Sequence, residues 1–265
     1  MNISSKNKTN KQNRVSTLEK AFKILEYLAI NQDKTRLSDI AHYFKIPYAT
    51  AFNILKTLAK HKFIECKESS KQYQLGFKLF QIGNHVQYIR DLREVSLPFM
   101  RELTRESGET SHLGILMNLS LYFLEIIESP LANKTRVIVG SSLPLHAPAV
   151  GKTLLAFQPE EERTKIVSSI DLTRFTPHTI IDRGKLIQEL NLINGQGYAV
   201  DNEEVFLGTT CIAAPIFSSF KKIVAALGIT GDTKRINQNK STLIELVQHE
   251  ALNVSFQLGY QNKVN

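Results

Sequence analysis

Cysteine is scarce in this chain of 265 residues: only Cys66 and Cys211 occur, far apart and in no CxxC or Cys/His spacing. A disulfide framework and structural zinc are therefore excluded, and a reducing, cytoplasmic setting fits. Long hydrophobic runs are missing too. None approaches the roughly 18 apolar residues that a membrane span requires, and the opening MNISSKNKTNKQNR lacks the hydrophobic segment of a signal peptide. No membrane partner is expected. Nucleophile elbows, glycine-rich phosphate loops and metal-ligand pairs are absent as well. Gly151-Lys152-Thr153 resembles the end of a phosphate-binding loop, but the glycine needed five residues before Gly151 is replaced by His146. No cofactor or metal is expected.

Acidic residues are also in short supply, and only at one end. Residues 1 to 90 hold 16 Lys+Arg against 6 Asp+Glu, while residues 91 to 265 hold 17 against 19, so the net charge of +8 sits entirely in the first third. Such a segment meets a polyanion, because Lys and Arg gain from phosphate contact through counterion release. An acidic membrane would attract it equally but would need an apolar anchor, so nucleic acid is the expected partner. Residues 1–14 read as a disordered basic arm, either touching DNA or merely solubilising. The length and 42% hydrophobic content suit two domains, each with a core.

Ser16 and Glu19 have the spacing of a capping box, and Leu18, Ala21, Phe22, Leu25, Leu28 and Ala29 follow at helical intervals. Leu37, Ile40, Ala41 and Phe44 form a shorter second helix, ended before Pro47. A third begins at or just after Pro47 and runs to about His61. Its apolar side holds Ala51, Ile54, Leu55 and Leu58, and its outer side Ala49, Asn53, Lys56 and Lys60. No carboxylate lies between Pro47 and Lys62, which suits a groove lined by phosphates; Asn can pair with adenine and Lys with guanine or phosphate. Phe63–Lys67 and Gln72–Leu75 flank the polar turn 68–71 as a hairpin, the wing. Cys66 reads as a small core residue. The expected DNA contacts are Tyr48, Ala49, Thr50, Asn53, Lys56 and Lys60 on the helix and Lys67 and Lys71 in the wing. For each wing lysine, a solvated hairpin tip is an equal alternative.

Leu79, Ile82, Gly83, Val86 and Ile89 continue at helical spacing, giving a linker helix over 77–95 whose stripe buries against a second copy or the head itself. A two-fold dimer would match paired half-sites. From Pro98 a further helix runs to about Gly108. Strands follow at 112–117, 121–127 and 136–139, then helices at 160–168 and 183–194, strands at 211–217 and 223–229, and a terminal helix at 241–259. The mixture is α+β. Between them, Leu145 to Lys152 can present backbone amides at a helix start, a natural anion site.

Three segments in this order, LPLHAPAVGKTLLA, GYAVDNEEVFLGTTCIAAPIF and AALGITG, behind a winged head, resemble the IclR family of transcriptional regulators over about Val15 to Gly259. The resemblance implies a winged helix-turn-helix domain (15–76), a linker helix and a GAF-like α/β effector domain (96–260), assembled as a homodimer or dimer of dimers. It implies a repressor binding double-stranded operator DNA and a small effector, a carboxylate-bearing metabolite. By position, the effector site comprises the backbone of Ala149 and Val150, with Asp201, Cys211, Gly228 and Thr230. Family members that bind small oxo-acids tend to have glycine at Ala149 and serine at Gly228, and the head commonly has serine at Ala49 and arginine at Asn53. The alternative is a metabolite-processing enzyme tethered to nucleic acid, with His146, Asp201 and Cys211 as a Cys/His/Asp set. His146 reads more simply as a residue satisfied by backbone at the start of a helix, and the chain is expected not to be an enzyme.

Overall fold

The computed structural model describes residues 4–31, 35–67, 69–83, 85–130 and 137–261, and side chains only from residue 17 onward, Gln87 excepted. Glu68 of the expected wing turn, Arg136 of an expected strand and the first three residues of the expected arm lie outside them. The chain divides into two compact units, Met1–Arg90 and Asp91–Asn265.

In the first unit, α1 spans Ser4–Ile30, β1 Thr35–Arg36, α2 Leu37–Tyr43, α3 Tyr48–Lys60, β2 Ile64–Lys67 and β3 Gln72–Leu75. The three strands pair antiparallel in the order β1-β3-β2. Ile24, Leu28, Ile40, Ala51, Ile54, Leu55 and Ile64 form the core, flanked by the packed rings of Tyr27, Tyr43 and Phe44. The four residues Phe44 to Pro47 turn α2 into α3. Lys45 takes the left-handed region at φ 50, and Pro47 caps α3 with its ring-fixed φ of −54.

Several expectations fail here for physical reasons. The helix starts at Ser4 and passes straight through Ser16, so no cap forms there and the backbone of 4–14 is helical rather than disordered. Of the expected stripe on α1, Leu28 is fully buried and Ala21 and Leu25 pack partly against the core, whereas Leu18 and Phe22 are exposed; Ile24, outside that stripe, is fully buried. Cys66 is exposed, because the β2–β3 ribbon projects beyond the core that shelters Ile64.

The linker is two helices. Helix α4 spans Phe77–Gly83 with no buried residue, and α5 spans Gln87–Ser107, carrying Pro98 in its interior. Pro98 therefore continues a helix rather than opening one, at the cost of one backbone hydrogen bond. Gly108, left-handed at φ 70, ends it.

The second unit adds β4 Thr110–Met117, β5 Ser120–Ile127, β6 Ser142–Leu143, α6 Ala149–Ala156, α7 Glu160–Ser169, α8 Arg183–Gln196, β7 Ala199–Asn202, β8 Thr209–Phe217, β9 Ile223–Asp232, α9 Thr233–Gln238 and α10 Lys240–Gln257. The six strands pair antiparallel in the order β6-β5-β4-β9-β8-β7. Asn118 and Leu119, at φ 49 and φ 60, make the two-residue β4–β5 turn, as a hairpin matched to strand twist demands. Val137 and Ile138 are not strand; the edge strand lies at Ser142–Leu143, six residues later than expected. Helices α6, α7 and α8 cover one face, burying Leu121, Phe123, Ala199, Ala213 and Ala226 of the sheet with Leu154, Leu155, Leu186, Leu190 and Ile193. Helix α10 lies against β8 and β9, with Leu243, Val247, Ala251 and Val254 buried.

Candidate functional site

In the head, α3 splits cleanly. Ala51, Ile54 and Leu55 are buried, and Ala49, Asn53, Lys56 and Lys60 are exposed together on the opposite side. Tyr48, 62% exposed, stands at the helix start, and Thr50 is half-buried on the flank. Sequence reasoning missed Phe52, which is 46% exposed one position around the helix from Asn53. Its signal was angular: at 100° per residue it falls beside the outer side, where an aromatic can touch a thymine methyl. In the wing, Lys67 and Lys71 are exposed, and the Lys71 amide donates to the Lys67 carbonyl at 2.8 Å. That bond closes the turn and keeps both backbones at the tip.

In the second unit, register decides which residues meet. Asp201 stands opposite Cys211, Cys211 opposite Thr230, and Thr230 opposite Thr110. Residues directly opposed on neighbouring strands point to the same face, so the four make one polar row across β7, β8, β9 and β4. This is the face that α6 covers. Cβ atoms built on Gly228 and Gly114 would meet the Val150 side chain at 3.2 Å and 2.7 Å; the two glycines let the start of α6 sink onto the sheet. Ala149 and Val150 are fully buried. The residue before α6 is Pro148, and no side chain caps the helix. The first amides of α6 are thus left without intrahelical partners above the row. Every effector residue expected from sequence belongs to this one place, Gly228 as space rather than as a polar group.

Desolvation sets the electrostatics. Burial, reinforced by the nearby Glu204 carboxylate, pushes the Asp201 carboxyl up to about 7, and Asp201 accepts from the Glu204 amide at 2.6 Å. Asp201 is 2% exposed on the edge strand. Burial also raises the Cys211 thiol well above its ordinary value, and the thiol donates to Thr230 Oγ1 at 3.1 Å.

Lys152, which the sequence offered only as a false phosphate-loop residue, is fully buried. Its ammonium donates to the Val200 carbonyl at 2.7 Å, to Glu189 Oε1 at 3.3 Å and to Glu204 Oε1. Thr179 Oγ1 donates to the Glu204 carbonyl at 2.6 Å, and Thr176 Oγ1 to that of Glu203 at 2.7 Å. The ammonium thus ties α6 to the segment that carries Asp201. No spacing signal could reveal a partner 52 residues away.

His146 Nε2 bonds the Thr173 carbonyl at 2.9 Å and its ring stacks on Phe175 at 6.0 Å. It holds a loop, as the simple reading expected, and burial lowers its basicity. A nucleophilic cysteine needs a lowered thiol pKa; burial and the Asp201 carboxylate beside it raise that of Cys211 instead. Among the described residues no cluster of His, Cys, Asp and Glu suits a metal ion, and no helix is long and apolar enough to cross a membrane.

An exposed cationic helix and wing in one unit, and a buried polar row under an open helix start in the other, define a DNA-reading regulator with a sensor domain. Comparison with known proteins agrees. The family "Bacterial transcriptional regulator IclR C-terminal" matches residues 85–256 and "IclR helix-turn-helix domain" matches residues 17–67. The HTH-type transcriptional regulator XynR of Escherichia coli K12 is 32% identical over 247 residues, covering 93% of this chain and 98% of that protein. The HTH-type transcriptional repressor AllR of the same strain is 32% identical over 249 residues, covering 94% and 92%. An IclR homolog from Microbacterium hydrocarbonoxydans, solved in complex with 4-hydroxybenzoate, superimposes with a TM-score of 0.81 at 26% identity over 91% of this chain and 98% of that one. The chain belongs to the IclR family of bacterial transcriptional regulators. It is a regulator, not an enzyme.

Proposed function

We propose that this regulator is a repressor whose hold on its operator changes when a small carboxylate binds between the start of α6 and the row Asp201, Cys211 and Thr230. One observation carries the reading: uncapped helix amides stand over a buried row of a carboxyl, a thiol and a hydroxyl. Amides at a helix start favour an anion, and an Asp201 carboxyl held up to about 7 keeps enough of its proton near neutral pH to meet an anionic or hydroxylated ligand without full repulsion. AllR is named a repressor and the Microbacterium homolog holds an aromatic acid, which makes repression and a carboxylate the first choices here.

DNA reading falls to 15–76, through Tyr48, Ala49, Thr50, Asn53, Lys56, Lys60, Lys67 and Lys71, transmission to 77–95, and sensing to 96–260. Because the partner is chromosomal DNA, the protein works in the cytoplasm. Phe77, Phe80 and Ile82 on α4, Val86 in the connection after it and Tyr88 at the start of α5 are all exposed, and supply an apolar seam for a homodimer or a dimer of dimers. Val86→Asp shifts the solution mass toward monomer and weakens operator binding; a variant that stays fully oligomeric removes the seam from the assembly.

Linkage tests the whole reading. Calorimetric titration of the full chain with 4-hydroxybenzoate, with and without operator DNA, gives affinities that differ by the coupling, typically about 5- to 150-fold. Identical affinities in the two titrations would end the allosteric account.

A further inference from the structure

His112 stands on β4 opposite Gly228, two residues along from Thr110 and so on the same face, under α6. It is 5% exposed. Its ring lies 5.7 Å from the Phe123 ring, and of the two residues opposite it on the neighbouring strands Ile126 brings an apolar side chain and Gly228 none. Five buried side-chain polar atoms lack a hydrogen-bond partner among the described residues: Ser70 Oγ, Ser96 Oγ, His112 Nδ1, His146 Nδ1 and Glu204 Oε2. Four sit in the wing, on α5, in the loop before α6 and in the Lys152 ion pair. Only His112 Nδ1 belongs to a strand of the six-stranded sheet, on the face that carries Asp201, Cys211 and Thr230. Buried polar groups in folded proteins are satisfied almost without exception, so an orphaned one marks a site that something else completes.

We infer that His112 is a specificity-determining residue of the effector site, and that it recognises a hydroxyl or carbonyl group separated by a carbon spacer from the effector's carboxylate. The inference rests on the carboxylate site proposed above and names the second half of the ligand. The polar row and the amides of α6 take the carboxylate end. One row further along, where Gly228 brings nothing, the next polar group is the imidazole of the neighbouring strand. Burial, outweighing the Thr110 backbone that acts the other way, holds that imidazole down to about 4, so it is neutral and its Nδ1 can either donate to or accept from a ligand oxygen. A neutral ring selects a hydroxyl or carbonyl over a second carboxylate. Phe123 beside it gives the spacer an apolar wall.

The test is calorimetry on the full chain with five probes: valerate, 5-hydroxyvalerate, levulinate, benzoate and 4-hydroxybenzoate. Wild type, His112→Leu and His112→Asn are compared, each first shown to melt cooperatively; the Asn amide reproduces the reach of Nδ1. The expected result is that at least one probe bearing the extra oxygen binds wild type about tenfold more tightly than its parent acid, the size of one net hydrogen bond. In His112→Leu the oxygenated and parent acids bind alike, so the preference is abolished, and His112→Asn restores part of it. Parent and oxygenated acids binding wild type equally, or a preference that survives His112→Leu, would overturn the assignment and leave the carboxylate site standing. No binding by any of the five overturns the carboxylate site and the assignment with it.

Discussion

On α3 of the N-terminal unit, Lys56 and Lys60 stand exposed on a side without carboxylates, whereas Lys152 on α6 of the C-terminal unit is fully buried against Glu189, Glu204 and the Val200 carbonyl. One residue type does two jobs. In the head the charge is left exposed to water, where the proposed phosphate contact would neutralise it. In the sensor the charge is spent inside the fold, holding the strand that carries Asp201. The difference teaches that a DNA-reading surface is built from what the core leaves over, while a ligand site is built from polar groups the core must first accommodate.

The sharpest way to break the comparison is to remove each charge. Lys152→Met leaves the Glu204 carboxylate buried without its partner, and stability measured by urea unfolding should fall by about 3–5 kcal/mol, the usual cost of stranding one half of a buried pair. Lys56→Ala should change unfolding by no more than about 0.5 kcal/mol. A mild Lys152→Met would mean that Glu204 simply takes up a proton, and that the pair contributes little.

Next in size is base reading. Asn53→Ala should weaken binding to the cognate operator by about 1–3 kcal/mol and hardly affect random duplex. Equal losses on both would make Asn53 a backbone contact. Lys56→Ala should weaken both duplexes similarly and lower the salt slope by about 1, which a titration of affinity against salt measures.

Two buried groups on the same sheet face sharpen the contrast through pH, with opposite signs. Asp201 is raised to about 7 in the folded protein, so the folded state holds a proton that the unfolded chain has released; its contribution is present at low pH and is lost as pH rises from about 4 to 7. His112 is lowered to about 4, so the unfolded chain binds the extra proton, and this contribution is absent at low pH and gained as pH rises from about 4 to 6.5. Urea unfolding of Asp201→Asn should therefore lack a stability loss that wild type shows toward neutral pH, and His112→Asn should lack a gain. Parallel pH profiles for all three proteins would contradict both assignments. The head is the internal control, since Lys56→Ala should leave the profile unchanged.

How far the sequence carried the reading differs between the two units for the same reason. The recognition helix was legible because a helix repeats every 3.6 residues and its inside and outside are set locally: Ala51, Ile54 and Leu55 inward, Asn53, Lys56 and Lys60 outward. Where local periodicity was ambiguous the reading slipped, as with Leu18 and Phe22 on α1, or with Pro98, which tertiary packing keeps inside a helix. Phe52 belongs to neither set because, at 100° per residue, it falls at the margin between them.

By itself, the sequence determined the basic head, the α+β class and the family, since these follow from charge counts, local periods and ordered motifs. Only the tertiary structure decided that Asp201, Cys211, Thr230 and Thr110 share one line, that Val150 settles over Gly114 and Gly228, that Lys152 turns inward to Glu204, and that His112 faces the same space with a nitrogen unpaired. Those facts depend on strand order and register, and register joins residues far apart in the chain. A shift of one residue would send each of these side chains to the other face.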